Sequence, residues 1–150
     1  MSMAWRHRGG APVARLDAMP EAEATVIRYL RRWLDGPDGQ ALVWCELAED
    51  GAAPDFADLC ALLIERGRRP FACHHADCVC VGADESAFAN MVMAAATGER
   101  EDAMLIATLI VRSDLAGAAA YLSESVGLAV LRRTQIAARA QTHAGSSLRH

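Results

Sequence analysis

The chain has 150 residues, of which 53% are hydrophobic and only 5% aromatic, and its formal net charge is −4. This length is that of one domain with a sizeable core, and the negative charge argues against a dedicated nucleic-acid binder. All 15 basic residues are arginine. The composition therefore excludes mechanisms that need a lysine, such as Walker A phosphate binding or Schiff-base formation.

Ala and Leu dominate the apolar residues, and both favour helices. We predict an all-α fold, a compact bundle of five or six short helices with a Cys/His-containing loop or hairpin inserted between helices three and four. Residues 1–18, which include Trp5, are expected to be a loose arm, residues 19–133 a single helical domain and residues 134–150 a disordered tail. No apolar run reaches membrane-spanning length, so a cytoplasmic protein is expected.

The first three helices are predicted from their apolar periodicity. The first begins at Pro20 and ends at Gly36, with one apolar stripe and with Arg28, Arg31 and Arg32 on the opposite side. The second covers residues 40–48, and the third begins at Pro54 and ends before Gly67. The side chains expected in the core include Trp33, Trp44, Cys45 and Cys60.

The second half of the chain predicts two or three further helices. Asp84 is expected to cap the fourth helix, which ends at Gly98. Residues 103–111 are apolar enough to form either a buried helix or a core strand, and their acidic lead-in favours the helix. The last helix begins at Ser113 or Asp114 and is expected to end at Gly127.

The segment 73–80 contains three of the five cysteines and two of the five histidines. In an intracellular protein, clustered thiols indicate metal binding or redox chemistry before they indicate disulfides. Thiolates and imidazoles are the ligands that Zn²⁺ prefers. The segment therefore predicts a zinc site.

A hairpin with Ala76-Asp77 as its loop would place four donors on one face, because side chains alternate along a strand. These candidate metal ligands are Cys73, His75, Cys78 and Cys80. His74 would lie on the opposite, apolar face. A flat hairpin is too wide for all four donors, so a fourth ligand from Cys60, His143 or Asp77 is an alternative.

Other cofactors fit the spacing less well. The cysteine spacing misses the plant-type iron–sulfur pattern by one residue, so an iron–sulfur cluster ranks below zinc. The segment equally allows a thiol-based redox or metal sensor, or free cysteines without any site.

No catalytic motif is recognisable, so the balance is against an enzyme. We expect a small intracellular zinc-binding protein that acts as an interaction or regulatory module, with another protein or a second copy as its partner. Arginines cluster at residues 28–32, 66–69 and 132–133, and we interpret them as solvated helix faces. Nucleic-acid binding through these arginines is the weakest hypothesis.

Overall fold

The computed structural model describes residues 12–147, and this part of the chain is mostly helical, which confirms the predicted all-α fold. A two-stranded antiparallel sheet accompanies the helices. The elements are β1 (Ala14–Arg15), α1 (Glu21–Asp35), α2 (Pro37–Ala48), α3 (Ala53–Glu65), β2 (Cys80–Val81), α4 (Ala83–Ala96), α5 (Arg100–Ala107) and α6 (Ala116–Ser147), with short 3₁₀ turns at Leu16–Ala18 and Ser113–Leu115.

The boundaries of the first helices follow the local chemistry. Gly36 has φ 147°, a conformation that side chains rarely adopt, and it separates α1 from α2. Pro37 and Pro54 stand in the first turns of α2 and α3, where a missing N–H costs nothing. The apolar stripe of α3 is fully or almost fully buried and consists of Phe56, Leu59, Cys60 and Leu63. Phe56 makes edge contacts with the rings of Tyr29 and Trp33.

Helix α6 crosses α4 at Gly127, where the sequence predicts a helix end. A Cβ at this position would lie 2.6 Å from the Ala96 Cβ and 2.6 Å from the Val92 carbonyl oxygen. The glycine therefore serves close helix packing, and the prediction of a helix end at Gly127 is wrong. Residues 103–107 belong to α5, which confirms the helical alternative for the start of the segment 103–111.

Two predicted boundaries of the domain differ from the structure. Residues 14–18, expected in a loose arm, form β1 and a 3₁₀ turn, with Leu16 only 8% exposed. Residues 134–147, expected to be disordered, continue α6. The strand at residues 14–15 could not be predicted locally, because β1 pairs with a strand far along the chain. The helical continuation at residues 134–147 was missed because this alanine-rich tail favours the helix but has no apolar stripe.

Helix α6 also bears on membrane association. By length and composition alone the helical segment 113–146 is able to cross a membrane, because its most apolar window of 18 residues has a mean hydropathy of 1.2. In the bundle, 44% of its most apolar window is buried, and core helices of soluble proteins pass the same criteria. The finding is weak support for a membrane span.

Helix α2 presents the main correction to the predicted core. Only Val43 and Leu47 are buried on this helix, whereas Trp44 is 42% exposed and Cys45 is exposed. The prediction that Trp44 and Cys45 are core residues is therefore wrong. Two buried positions one turn apart suffice to hold a short helix, and apolar character alone does not say which side faces the core.

Candidate functional site

The cysteine-rich segment, residues 71–80, is an irregular loop that follows α3 and ends with Cys80, the first residue of β2. Ala76 and Asp77 form a turn in which the Cys78 N–H donates to the His75 carbonyl oxygen at 3.0 Å. This is the turn that the sequence predicts. The flanking hairpin strands differ from the prediction, because Cys80 and Val81 pair with Ala14 and Arg15 and not with the preceding cysteine.

Arg31 of α1 supports the far side of this strand. Its side chain is 1% exposed, and it donates to the carbonyl oxygens of Cys78 and Cys80, both at 2.6 Å. Carbonyls two residues apart point to the same edge of an extended strand. The guanidinium therefore takes the place of a neighbouring strand on the edge of β2 that β1 leaves uncovered.

Glu85 of α4 neutralises Arg31 in the interior. Its carboxylate is 0% exposed and accepts from the Arg31 Nε at 2.6 Å and Nη2 at 3.1 Å. It also accepts from the Gly82 N–H at 3.1 Å and from the Cys73 thiol, with 3.3 Å between Sγ and Oε2. Four donors satisfy this carboxylate, which meets the requirement for a charge removed from water.

Asp84 holds the other end of the loop. It accepts the Ala72 N–H at 2.8 Å and both Nη groups of Arg69. The predicted N-cap role of Asp84 is wrong: the cap is Gly82, and Asp84 lies inside the first turn of α4. Two consecutive carboxylates at one helix start thus fix the two ends of the cysteine loop.

The three thiols of the loop have different surroundings. Burial and the adjacent Glu85 carboxylate raise the pKa of the Cys73 thiol, so Cys73 is protonated at neutral pH. The carbonyl oxygens of Cys78 and Cys80 accept from Arg31. All three cysteines are partly buried, and the Cys73 thiol differs from the other two in that it donates to the Glu85 carboxylate.

The two histidines differ in burial. His75, a predicted ligand, has a side chain 55% exposed, and its Nδ1 lies 3.9 Å from a carboxylate oxygen of Asp77. His74 is partly buried, and its Nε2 is fully buried without a hydrogen-bond partner. Buried polar atoms are nearly always paired, so this nitrogen calls for an explanation.

The predicted ligands are not preassembled. Within residues 12–147, no three His, Cys, Asp or Glu side chains are grouped to hold a metal ion. Of the candidates for a fourth ligand, Cys60 is buried in α3 and interacts electrostatically with Cys73. Asp77 stands at the exposed turn, and His143 lies on the exposed end of α6.

The prediction that Arg31 lies opposite the apolar stripe of α1 is wrong, since its side chain is buried, and the sequence assigns no role to Glu85. The signal for Arg31 is its register, since it follows the buried Ile27 by four residues and therefore lies on the same face of α1. A charged residue at such a position indicates a buried ion pair. Its partner is set by tertiary packing and cannot be read from the sequence.

Comparison of the chain with family models, curated proteins and solved structures gives no match. The functional argument therefore depends on the residues of this loop and their surroundings.

Proposed function

We propose that this protein is a small helical regulatory or interaction module whose loop 71–80 binds one Zn²⁺ ion. The thiols of Cys73, Cys78 and Cys80 are the proposed sulfur ligands. The observation that carries the proposal is the buried, unpartnered Nε2 of His74 in a loop with three thiols. A metal ion satisfies such a nitrogen, and neutral imidazole is the commonest protein ligand for metals.

The way the loop is held supports this proposal. Arg31 and Glu85 are both removed from solvent to fix the carbonyls of Cys78 and Cys80. A buried ion pair of this kind contributes little net stability compared with apolar packing of the same volume. Fixing the backbone that carries Cys78 and Cys80 is a reason to keep such a pair.

Because the donors are not grouped beforehand, binding must reorganise the loop. The backbone is tied down at Ala72 and from Cys78 to Val81, and the exposed turn at Ala76-Asp77 lies between these two anchors. We propose that this segment closes over the ion, with His74 as the fourth ligand and His75 as the alternative. Ordering of a loop by zinc is the means by which binding would be communicated to a partner.

Zinc content tests the proposal directly. Protein purified without metal-affinity resin, under reducing conditions and without chelator, is expected to contain about one zinc per chain, as a structural site requires. The double variant Cys78→Ser/Cys80→Ser should lose the metal, whereas Cys45→Ser, which changes an exposed thiol outside the loop, should keep it. Zinc-free wild-type protein that also takes up none on addition would contradict the proposal.

The identity of the nitrogen ligand has its own test. We expect His74→Ala to weaken zinc affinity by at least the roughly 10- to 100-fold that loss of an outer-shell partner costs, and His75→Ala to change it by less than about threefold. The reverse order would return the ligand role to His75. Reversible oxidation of Cys78 and Cys80 without metal uptake would replace zinc binding with a thiol redox function.

The interaction part of the proposal concerns a protein partner, either another chain or a second copy. Leu42 and Trp44 expose 58% and 42% of their surface on α2, and aromatic residues are enriched in protein interfaces. Light scattering of the zinc-loaded and zinc-free forms is expected to show a change in oligomeric state if the partner is a second copy. Replacement of Trp44 by Ser should abolish that change.

A further inference from the structure

The C-terminal end of α6 projects from the helical bundle. Val130 is the last buried residue of this helix, and residues 135–146 are all exposed. Arg133 pairs with Glu49 at the point where α6 leaves the bundle. Helices in proteins owe most of their stability to the packing of one face against other elements. Within the part of the chain that the structure describes, no element covers the end of α6 in this way.

The projecting segment combines one large apolar side chain with positive charge. Ile136 exposes 58% of its surface. Arg139 follows three residues later and therefore lies on the same side of the helix, exposed and without an ion pair among residues 12–147. The sequence contains no acidic residue after Glu124. The end of α6 thus presents an apolar and a basic group about one helical turn apart.

A groove between α4 and α5 has the complementary character. It has a volume of about 510 Å³, and its apolar lining includes Met93, Leu105 and Ile106. Glu99 and Asp102 line the same groove at the start of α5, and neither carboxylate makes an ion pair or a side-chain hydrogen bond within residues 12–147. Because Asp102 precedes Leu105 by three residues, the acidic and apolar parts of the groove are also about one helical turn apart.

The end of α6 cannot reach this groove in its own chain. Helix α6 crosses α4 at Gly127, which lies against Val92, the neighbour of the groove residue Met93. Ile136 lies nine residues beyond Gly127 on a continuous helix, so that it is carried about 14 Å along the axis away from the crossing. A second copy of the chain brings the same helix end without this constraint.

We propose that the chain forms a reciprocal dimer in which the end of α6 of each copy lies in the α4–α5 groove of the other. Ile136 contacts Leu105, and Arg139 pairs with Asp102, so that the two helices run antiparallel. An apolar helix face in an apolar groove is a common mode of recognition, and two-fold symmetry makes the contact twice. The dimer uses neither the cysteine loop nor Trp44, so its failure and that of the zinc site are measured separately.

Analytical ultracentrifugation of the full chain tests the dimer, in reducing buffer with chelator so that zinc has no part in the result. Arg139→Glu and Asp102→Arg are each expected to weaken self-association at least about tenfold, because like charges then meet in both contacts. An equimolar mixture of the two variants should associate like the wild type, since each groove then meets a helix end of opposite charge. A folding defect cannot produce this rescue.

Two matched controls accompany these variants. Glu101→Arg reverses an exposed charge of α5 outside the groove, so it should change self-association by less than about twofold and should not rescue Arg139→Glu. Ile136→Ser should weaken the dimer about tenfold, whereas Ile64→Ser, at a residue of α3 that is 62% exposed, should leave it unchanged. A wild type that stays monomeric up to its solubility limit, or a mixture of Arg139→Glu and Asp102→Arg that does not associate, would overturn the proposal.

Discussion

Asp84 and Glu85 are neighbours in the sequence, each binds an arginine through two contacts, and together they hold the two ends of one loop. Their surroundings differ. Arg31 and Glu85 are 1% and 0% exposed, whereas Asp84 is 5% exposed and its partner Arg69 58% exposed. The Arg31–Glu85 ion pair is therefore part of the protein interior, whereas the Arg69–Asp84 ion pair is a contact at the surface.

The difference lies in what each arginine leaves behind when it is removed. The guanidinium of Arg31 serves two backbone carbonyls and the Glu85 carboxylate, which is fully buried, so that water cannot replace the guanidinium there. The guanidinium of Arg69 serves only a carboxylate that also holds the Ala72 N–H. Burial, and not the geometry of the ion pair, decides how much stability depends on it.

The largest effect is expected at Arg31. Replacing Arg31 by Met should lower the free energy of unfolding by about 3–5 kcal/mol, because Glu85 is left as an uncompensated buried charge. Urea unfolding of the purified variant measures this loss. The double variant Arg31→Met/Glu85→Leu should be less destabilised than the single one, and a loss under about 1 kcal/mol for Arg31→Met would contradict the account.

A smaller loss is expected at Asp84. Asp84→Ala removes the acceptor of the partly buried Ala72 N–H and should cost about 1–3 kcal/mol. Hydrogen exchange at the Ala72 amide should accelerate in the variant more than at amides of α6. Unchanged protection of this amide would show that Asp84 does not anchor the loop.

The burial of Cys60 also predicts that the free energy of unfolding depends on pH. Burial raises the pKa of this thiol above its ordinary value, and the interaction with Cys73 adds to the effect. The folded chain then keeps a proton that the unfolded chain releases above about pH 8.5. Its contribution to stability is complete below that pH and is lost as the pH rises toward the folded-state pKa, by about 1.4 kcal/mol per pH unit.

Urea unfolding between pH 8 and pH 10 measures this slope. It should become shallower in Cys60→Ala and stay unchanged in Cys45→Ala, which replaces an exposed cysteine. An identical slope in wild type and Cys60→Ala would refute the contribution of Cys60.

The smallest effect is expected at Arg69. Arg69→Ala should cost less than about 1 kcal/mol, since an exposed arginine contributes little to an ion pair and water can replace it at Asp84. Urea unfolding of wild type and Arg69→Ala in low and high salt measures this cost, which should shrink as salt screens the ion pair. A cost equal to that of Arg31→Met would abolish the contrast between the two pairs.

The helices were predictable because each bears a local signal. Glycines and prolines delimit α1 to α4, and the apolar stripes of α1 and α3 identify their buried faces. Such signals fail where packing overrides them. Gly127 lies inside α6 because α4 comes too close for a side chain, and Trp44 is exposed because α2 is buried along a narrow stripe.

The candidate site was predictable in composition and not in arrangement. The clustering of thiols and imidazoles and the turn at Ala76-Asp77 can be read from the sequence. The pairing of β2 with β1, the burial of Arg31 and the orientation of His74 depend on elements that are distant in the chain. A local pattern identifies donor types, but tertiary contacts decide which of them face the interior.

Titration of the zinc-free protein with Co²⁺ tests the central claim most directly, because the absorption spectrum reports both the ligands and the geometry. We expect thiolate-to-cobalt charge-transfer bands and intense tetrahedral d–d bands that saturate at about one equivalent, with release of protons from the thiols. These bands should be weakened in His74→Ala and absent in Cys78→Ser/Cys80→Ser. A spectrum of hexahydrated cobalt throughout the titration would contradict metal binding by this loop.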